Sequence, residues 1–121
     1  KAAKNEYAVT MLAWGNGTGE ALYAMVHVLS GVDPKKGLGA SNWGHYNNPA
    51  MNLATEQATA EFDDAKRAVI MQNAAKILSD DAGVIPLYHY MNIWAAKKGL
   101  KVTPLTSDRT AAVMVTKDDQ K

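Results

Sequence analysis

The stretch that most constrains this chain runs from Asp63 to Ala95, where the hydrophobic period changes once. Ile70, Ala74, Ile77 and Leu78 recur at helical spacing and form one apolar stripe. Asp63 can cap the helix by accepting a backbone N–H, and Asp64 faces the positive end of its dipole. The spacing predicts a helix from Asp63 that ends near Ala82-Gly83. From Val84 to Ala95 the period becomes that of a strand. Ile85, Leu87, His89, Met91 and Ile93 fall on one face, and Tyr88, Tyr90, Asn92 and Trp94 on the other. Gly99 and Pro104 then break the pattern.

Upstream, Glu6 to Trp14 is apolar or β-forming on both faces, which predicts a strand covered on two sides. The glycines of Gly15-Asn16-Gly17-Thr18-Gly19 permit tight turns, and Glu20 opens an apolar helical run through Leu29. Ser30 to Gly44, with Gly31, Pro34, Gly37 and Gly39, reads as an exposed, mobile loop. Asn48-Pro49 signals a short helix to about Ala60, because Asn is a good N-cap and Pro at the first position costs no hydrogen bond. A last strand, Ala111 to Thr116, precedes a charged tail, Lys117 to Lys121. The fold class expected is α/β, a mixed sheet with flanking helices.

Composition narrows the function. At 121 residues and 47% hydrophobic content the chain is long enough for one domain with a buried core. A net charge of +1 leaves no overall field for a nucleic-acid backbone or an anionic membrane. Absence of Cys removes disulfides, thiolate metal sites and cysteine nucleophiles. No apolar run reaches the ~18 residues of a membrane span. Lys1-Ala2-Ala3-Lys4-Asn5-Glu6 resembles neither a translation start nor a signal peptide, so an internal fragment or processed product is expected.

Catalytic chemistry finds little support. His27, His45 and His89 lie far apart with no carboxylate at metal-ligand spacing. His27 and His89 read as packed residues of a helix and a strand, and His45 as exposed. Ser30, Ser41, Ser79 and Ser107 have no nucleophile-elbow setting. Capping and dipole compensation account for Asp63-Asp64, and solvation for Asp80-Asp81. The Gly15–Gly19 loop lacks both nucleotide-binding glycine patterns. What stands out is Trp14 followed by backbone donors between a strand and a helix, a place where α/β proteins bind ligands. Ligand contact and simple packing are both open for Trp14.

Several segments in order resemble the C-terminal part of the family 5 extracellular solute-binding proteins, the peptide and nickel type. They are Tyr7 to Trp14 with Trp14-Gly15 closing the strand; Tyr46-Asn47-Asn48-Pro49 before a helix; Asp63 to Leu78 with Arg67 in the first turn; and Asp80-Asp81-Ala82-Gly83-Val84-Ile85-Pro86-Leu87-Tyr88. The resemblance covers nearly the whole chain. It implies part of the C-terminal lobe of a two-lobed periplasmic-binding-protein type II fold over 1–99, with 100–121 returning to the other lobe. It implies no enzyme and no cofactor. The expected role is the substrate-binding component of an ABC importer, periplasmic or lipid-anchored, which delivers a peptide or peptide-like solute to an inner-membrane permease.

Peptide binders of this family commonly carry an Asp after the strand Trp to pair with the peptide's α-amino group. Here Gly15-Asn16-Gly17-Thr18 has no acid, and Trp14 to Glu20 is closer to the Trp-x-x-x-Thr-Gly-Glu loop of glutathione-type members. The ligand-binding residues implied are Trp14, Gly15, Asn16, Gly17 and Thr18. Tyr90 could join them across the cleft, packing against a neighbour being the competing reading. The rival class is a free-standing small α/β protein-interaction domain.

Overall fold

Two capped helices form the centre of the chain. In α2 (Pro49–Ala60) the Asn48 side chain accepts from Ala50 N at 2.8 Å and Met51 N at 3.2 Å, and Pro49 occupies the first turn, where no N–H is required. In α3 (Asp64–Asp80) Asp63 accepts from Lys66 N at 3.0 Å. Each cap is worth about 1 kcal/mol. The computed structural model describes Lys4, Glu6, residues 9–105 and residues 109–118. Lys1, Ala2, Ala3, Asn5, Tyr7, Ala8, Ser107 and tail residues 119–121, all part of the readings above, lie outside the described residues.

The short Glu61-Phe62-Asp63 link folds α3 back onto α2. Ala54, Ala58 and Ala74 are buried, and their small side chains let the helices approach closely. Met25, Met51, Ala54 and Ala74 make the core, flanked by Leu22, Leu29, Tyr46, Ile70, Met71 and Ile77. The predicted stripe on α3 is therefore the packed one.

The helical run after Glu20 forms as α1 (Ala21–Ala24), which widens into a π-helical segment, Met25–Leu29. Widening displaces backbone carbonyls from their usual partners. Met25 O accepts from Ser30 Oγ, Val26 O from Gly39 N and His27 O from Ser41 N, each at 2.8 Å. The expectation of an exposed loop over Ser30–Gly44 holds for most of its residues, Pro34 to Gly37 among them, but Ser30, Gly31, Leu38, Gly39 and Asn42 are buried and anchor it. Gly31 and Gly39 serve close approach, whereas Gly37 and Gly44 face open space. Gly39 has φ 70°, and a Cβ there would lie 2.8 Å from the carbonyl oxygens of Ser30 and Gly31.

α3 ends two or three residues before the Ala82-Gly83 stop expected. Ala82 N donates to Ser79 O and Gly83 N to Leu78 O, both at 3.1 Å, the paired bonds of a Schellman end. The left-handed position of that motif is filled by Ala82, φ 49°, and not by glycine. Gly83 is required for a different reason: a Cβ would sit 2.5 Å from the Tyr46 ring.

The sheet is smaller than the sequence suggests. β1 (Leu100–Val102) pairs antiparallel with β2 (Val115–Lys117), Leu100 opposite Lys117 and Val102 opposite Val115. The last strand starts later than Ala111 because Ala112–Met114 coils into a 3₁₀ turn. Of the expected strands, residues 9–14 and 84–95 form no regular element and join no ladder among the described residues. Their side chains stay open: Val9 is 88% exposed, Ile85 77%, Met91 85% and Ile93 88%. His89 is likewise exposed, not packed. An extended segment needs a neighbouring backbone to become a strand, and the described residues supply none. The described residues form three helical segments and a two-stranded sheet; the larger mixed sheet expected is not formed within them.

Exchanging Ala82 and Gly83 roles tests the helix end. Ala82→Gly relieves a left-handed alanine and should raise stability by about 0.5–1 kcal/mol in urea unfolding. Gly83→Ala should lower it by about 1–3 kcal/mol through the Tyr46 contact.

Candidate functional site

Five of the expected site residues, Trp14, Gly15, Asn16, Gly17 and Thr18, lie in the turn that leads into α1, and Gly19 (φ 73°) closes that turn. The turn holds itself. Asn16 Nδ2 donates to Glu20 O at 2.8 Å, and Gly19 N to Asn16 O at 3.3 Å. Thr18 Oγ1 donates to Asn16 Oδ1 at 3.1 Å and accepts from Glu20 N at 3.3 Å. The polar atoms of Asn16 and Thr18 are thus engaged in positioning the loop, a role the sequence reading did not give them. Gly15 and Gly17 are exposed, and Gly17 has open space where a side chain would stand.

Trp14 is half-buried against two rings of the α1 run. Its centroid lies 5.6 Å from Tyr23 and 6.1 Å from His27, and Tyr23 and His27 meet edge to face at 4.8 Å. The indole Nε1 is shielded from solvent with no acceptor among the described residues. Beside this cluster Thr18, Glu20, Leu22, Tyr23, Val26 and His27 line an open hollow of about 210 Å³, room for one side chain. Tyr23 and His27 were not read as site residues; their i, i+4 spacing on an apolar helix is the signal that places them on one face. Tyr90 belongs to the exposed 84–94 segment, outside this ring cluster.

Arg67 fixes the loop to the helices. Its Nε donates to Glu20 Oε1 at 2.7 Å, Nη1 to Glu61 O at 3.0 Å, and Nη2 to Asp64 Oδ1. The hydrogen bonds to Glu20 and Asp64 hold the guanidinium even further above its usual range. Glu20, the only acid near the Trp14 loop in sequence, therefore faces an arginine that Asp64 also engages.

A second polar cluster lies under the 31–47 loop. Asn42 Nδ2 donates to Ser30 O at 2.8 Å and Tyr46 O at 2.7 Å, while its Oδ1 accepts from Tyr46 N at 3.2 Å. Ser30 and Thr55 hydroxyls meet at 2.8 Å, and Asn52 bridges Gly31 N and Asn47 at 2.8 Å each. Val32, Asn42, His45, Tyr46 and Asn47 line a hollow of about 220 Å³, with His45 exposed and in a left-handed conformation, φ 54°. Asp81 does more than sit in solvent: it accepts from Tyr46 OH at 2.9 Å and from Asn48 Nδ2. Asp80 pairs with Lys76 at 2.8 Å. Among the described residues no group of three or more His, Cys, Asp or Glu side chains is placed to hold a metal ion, and no helix is long and apolar enough to cross a membrane.

Burial first, then the hydrogen bond and charge of Asp81, push the Tyr46 phenol up to about 12 from its ordinary 10. With the folded value raised, the unfolded chain releases this proton first as pH rises. The stabilisation is complete below pH ~10 and is lost between about 10 and 12. A tyrosinate absorbance titration of the wild type minus Tyr46→Phe should show a step near 12 that moves down in Asp81→Ala. A Tyr46 step at the ordinary value would contradict the contact.

Over 63 residues, 52% of the chain, the sequence is 32% identical to the oligopeptide-binding protein OppA of Bacillus subtilis strain 168. The match spans 12% of that protein's length. No protein-family model matches the chain, and no solved structure matches it.

Proposed function

We infer that this chain is the C-terminal part of a family 5 solute-binding protein that serves an ABC importer outside the inner membrane. The observation that carries this reading is the 32% identity, over about half the chain, to a protein named for binding oligopeptides. Two structural features support it. Residues 9–13 and 85–93 carry exposed apolar side chains outside any ladder, as strands would whose sheet and second layer come from a longer polypeptide. Trp14 offers an aromatic wall on a loop braced by Arg67.

In this reading the protein binds without chemistry. Residues 1–99 belong to one lobe and 100–121 lead to the other, and the lobes close on a peptide or peptide-like solute because the closed form binds it more tightly. The closed receptor then meets the permease. Asn16 and Thr18 hold the loop, Trp14 and the backbone at Gly15 and Gly17 face the ligand, and Tyr90 approaches from the strand leading to the hinge. With the Glu20 carboxylate already engaged by Arg67, a ligand held here through peptide groups or apolar side chains is favoured over one held by its α-amine.

Calorimetry of the full receptor with di- to pentapeptides and glutathione tests this. Trp14→Ala should weaken binding by about tenfold or more, with Trp14→Phe retaining part of the affinity because the wall remains. Unchanged affinity in Trp14→Ala would remove Trp14 from the site. A peptide-induced thermal shift of equal size in the 121-residue chain alone would place a complete site within it and favour a free-standing interaction domain.

A further inference from the structure

The charge of this chain is unevenly placed. Residues 95–121 hold Lys97, Lys98, Lys101, Arg109, Lys117 and Lys121 against Asp108, Asp118 and Asp119, a net of +3 within a chain of +1. The whole-chain balance, which argued against any field for an anionic membrane, conceals this local excess. The fold concentrates it further: Lys101 lies on β1, Lys117 on β2, and Lys97 and Lys98 in the turn that enters β1. All four lysines are exposed, and none forms an ion pair among the described residues. Elsewhere cations do find partners, Lys36 with Glu56, Lys76 with Asp80 and Arg67 with Glu20.

Apolar side chains accompany the lysines. The register puts Leu100 opposite Lys117 and Val102 opposite Val115, so Leu100, Val102, Val115 and Lys117 share one face of the hairpin. Leu100 and Val115 are more than a third exposed, and the adjoining Val113 is 86% exposed.

We propose that the β1–β2 hairpin, with its Lys97-Lys98 turn, is a docking surface for an anionic phospholipid bilayer. Lysine heads would meet the headgroup charge while Leu100, Val113 and Val115 enter the headgroup–acyl boundary. Lysine is the cation depleted from protein interfaces, where arginine's planar fork is preferred, and it suits a diffuse field with no fixed acceptor geometry. Single-stranded nucleic acid would call for aromatic platforms; the nearby Trp94 is half-buried with its Nε1 donating to Thr110 Oγ1 at 3.1 Å. This surface does not depend on the peptide-binding reading.

Co-sedimentation of the 121-residue chain with vesicles provides the test. Binding is expected to phosphatidylcholine vesicles containing phosphatidylglycerol, not to phosphatidylcholine alone, and should disappear as salt rises from about 0.05 M to about 0.5 M. Each Lys→Gln change at 97, 98 or 117 should lower partitioning about fivefold at low salt, while Lys101→Gln, on the face opposite Leu100 and Val115, should lower it less. Circular dichroism of each variant should match the parent, and Lys35→Gln/Lys66→Gln should bind normally. Equal binding to neutral vesicles would assign adhesion to the exposed 84–94 segment and overturn the proposal. So would an equal loss in the control variant, absence of binding, or preferential binding to DNA at the same salt.

Discussion

The close approach of α2 and α3 at Ala54, Ala58 and Ala74 is the contact on which the described structure depends. It creates the floor on which Met25 and Met51 pack, and so decides where the α1 run lies. Arg67 then converts this packing into a position for the Trp14 loop, since its fork reaches Glu20, the Glu61 carbonyl and Asp64 together. The polar cluster under the 31–47 loop does the same on the other side through Asn42, Asn52 and Asp81. Because the buried Ser30, Asn42 and Thr55 are hydrogen-bonded within this network, they specify one loop arrangement where apolar packing alone would allow several.

Local signals were legible where local chemistry decides. Asn48-Pro49 and Asp63 mark helix starts because a side-chain acceptor meets N–H groups two or three residues ahead, whatever the rest of the chain does. The loop from Ser30 to Gly44 is exposed for most of its length, but its anchor points are not legible, because a glycine that permits a turn also permits contact and only the fold shows Gly39 pressed against the Ser30 and Gly31 carbonyls. The strands at 9–14 and 84–94 were readable as period, but pairing is a property of two segments. β1 escaped notice because it fits between the two breakers, Gly99 and Pro104.

The candidate site divides in the same way. Trp14 and the glycine-rich turn were visible from their place before a helix, whereas the engagement of Asn16 and Thr18 within the turn follows from bond geometry. Tyr23 and His27 gained their place against Trp14 only when the chain folded back. The unpaired Trp14 Nε1 and the uncovered apolar segments share one physical feature: each is a group whose natural partner is not among the described residues. That common feature links the structure to the receptor reading.

Amide hydrogen exchange, compared between the 121-residue chain and the longer receptor proposed to contain it, addresses that link directly. Amides of α2 and α3 should be protected in both. Those of residues 85–93 should exchange freely in the chain alone and become protected in the full receptor, where neighbouring strands bond them. Protection of 85–93 in the chain alone, or free exchange in both, would contradict the assignment of this segment to a sheet completed from outside.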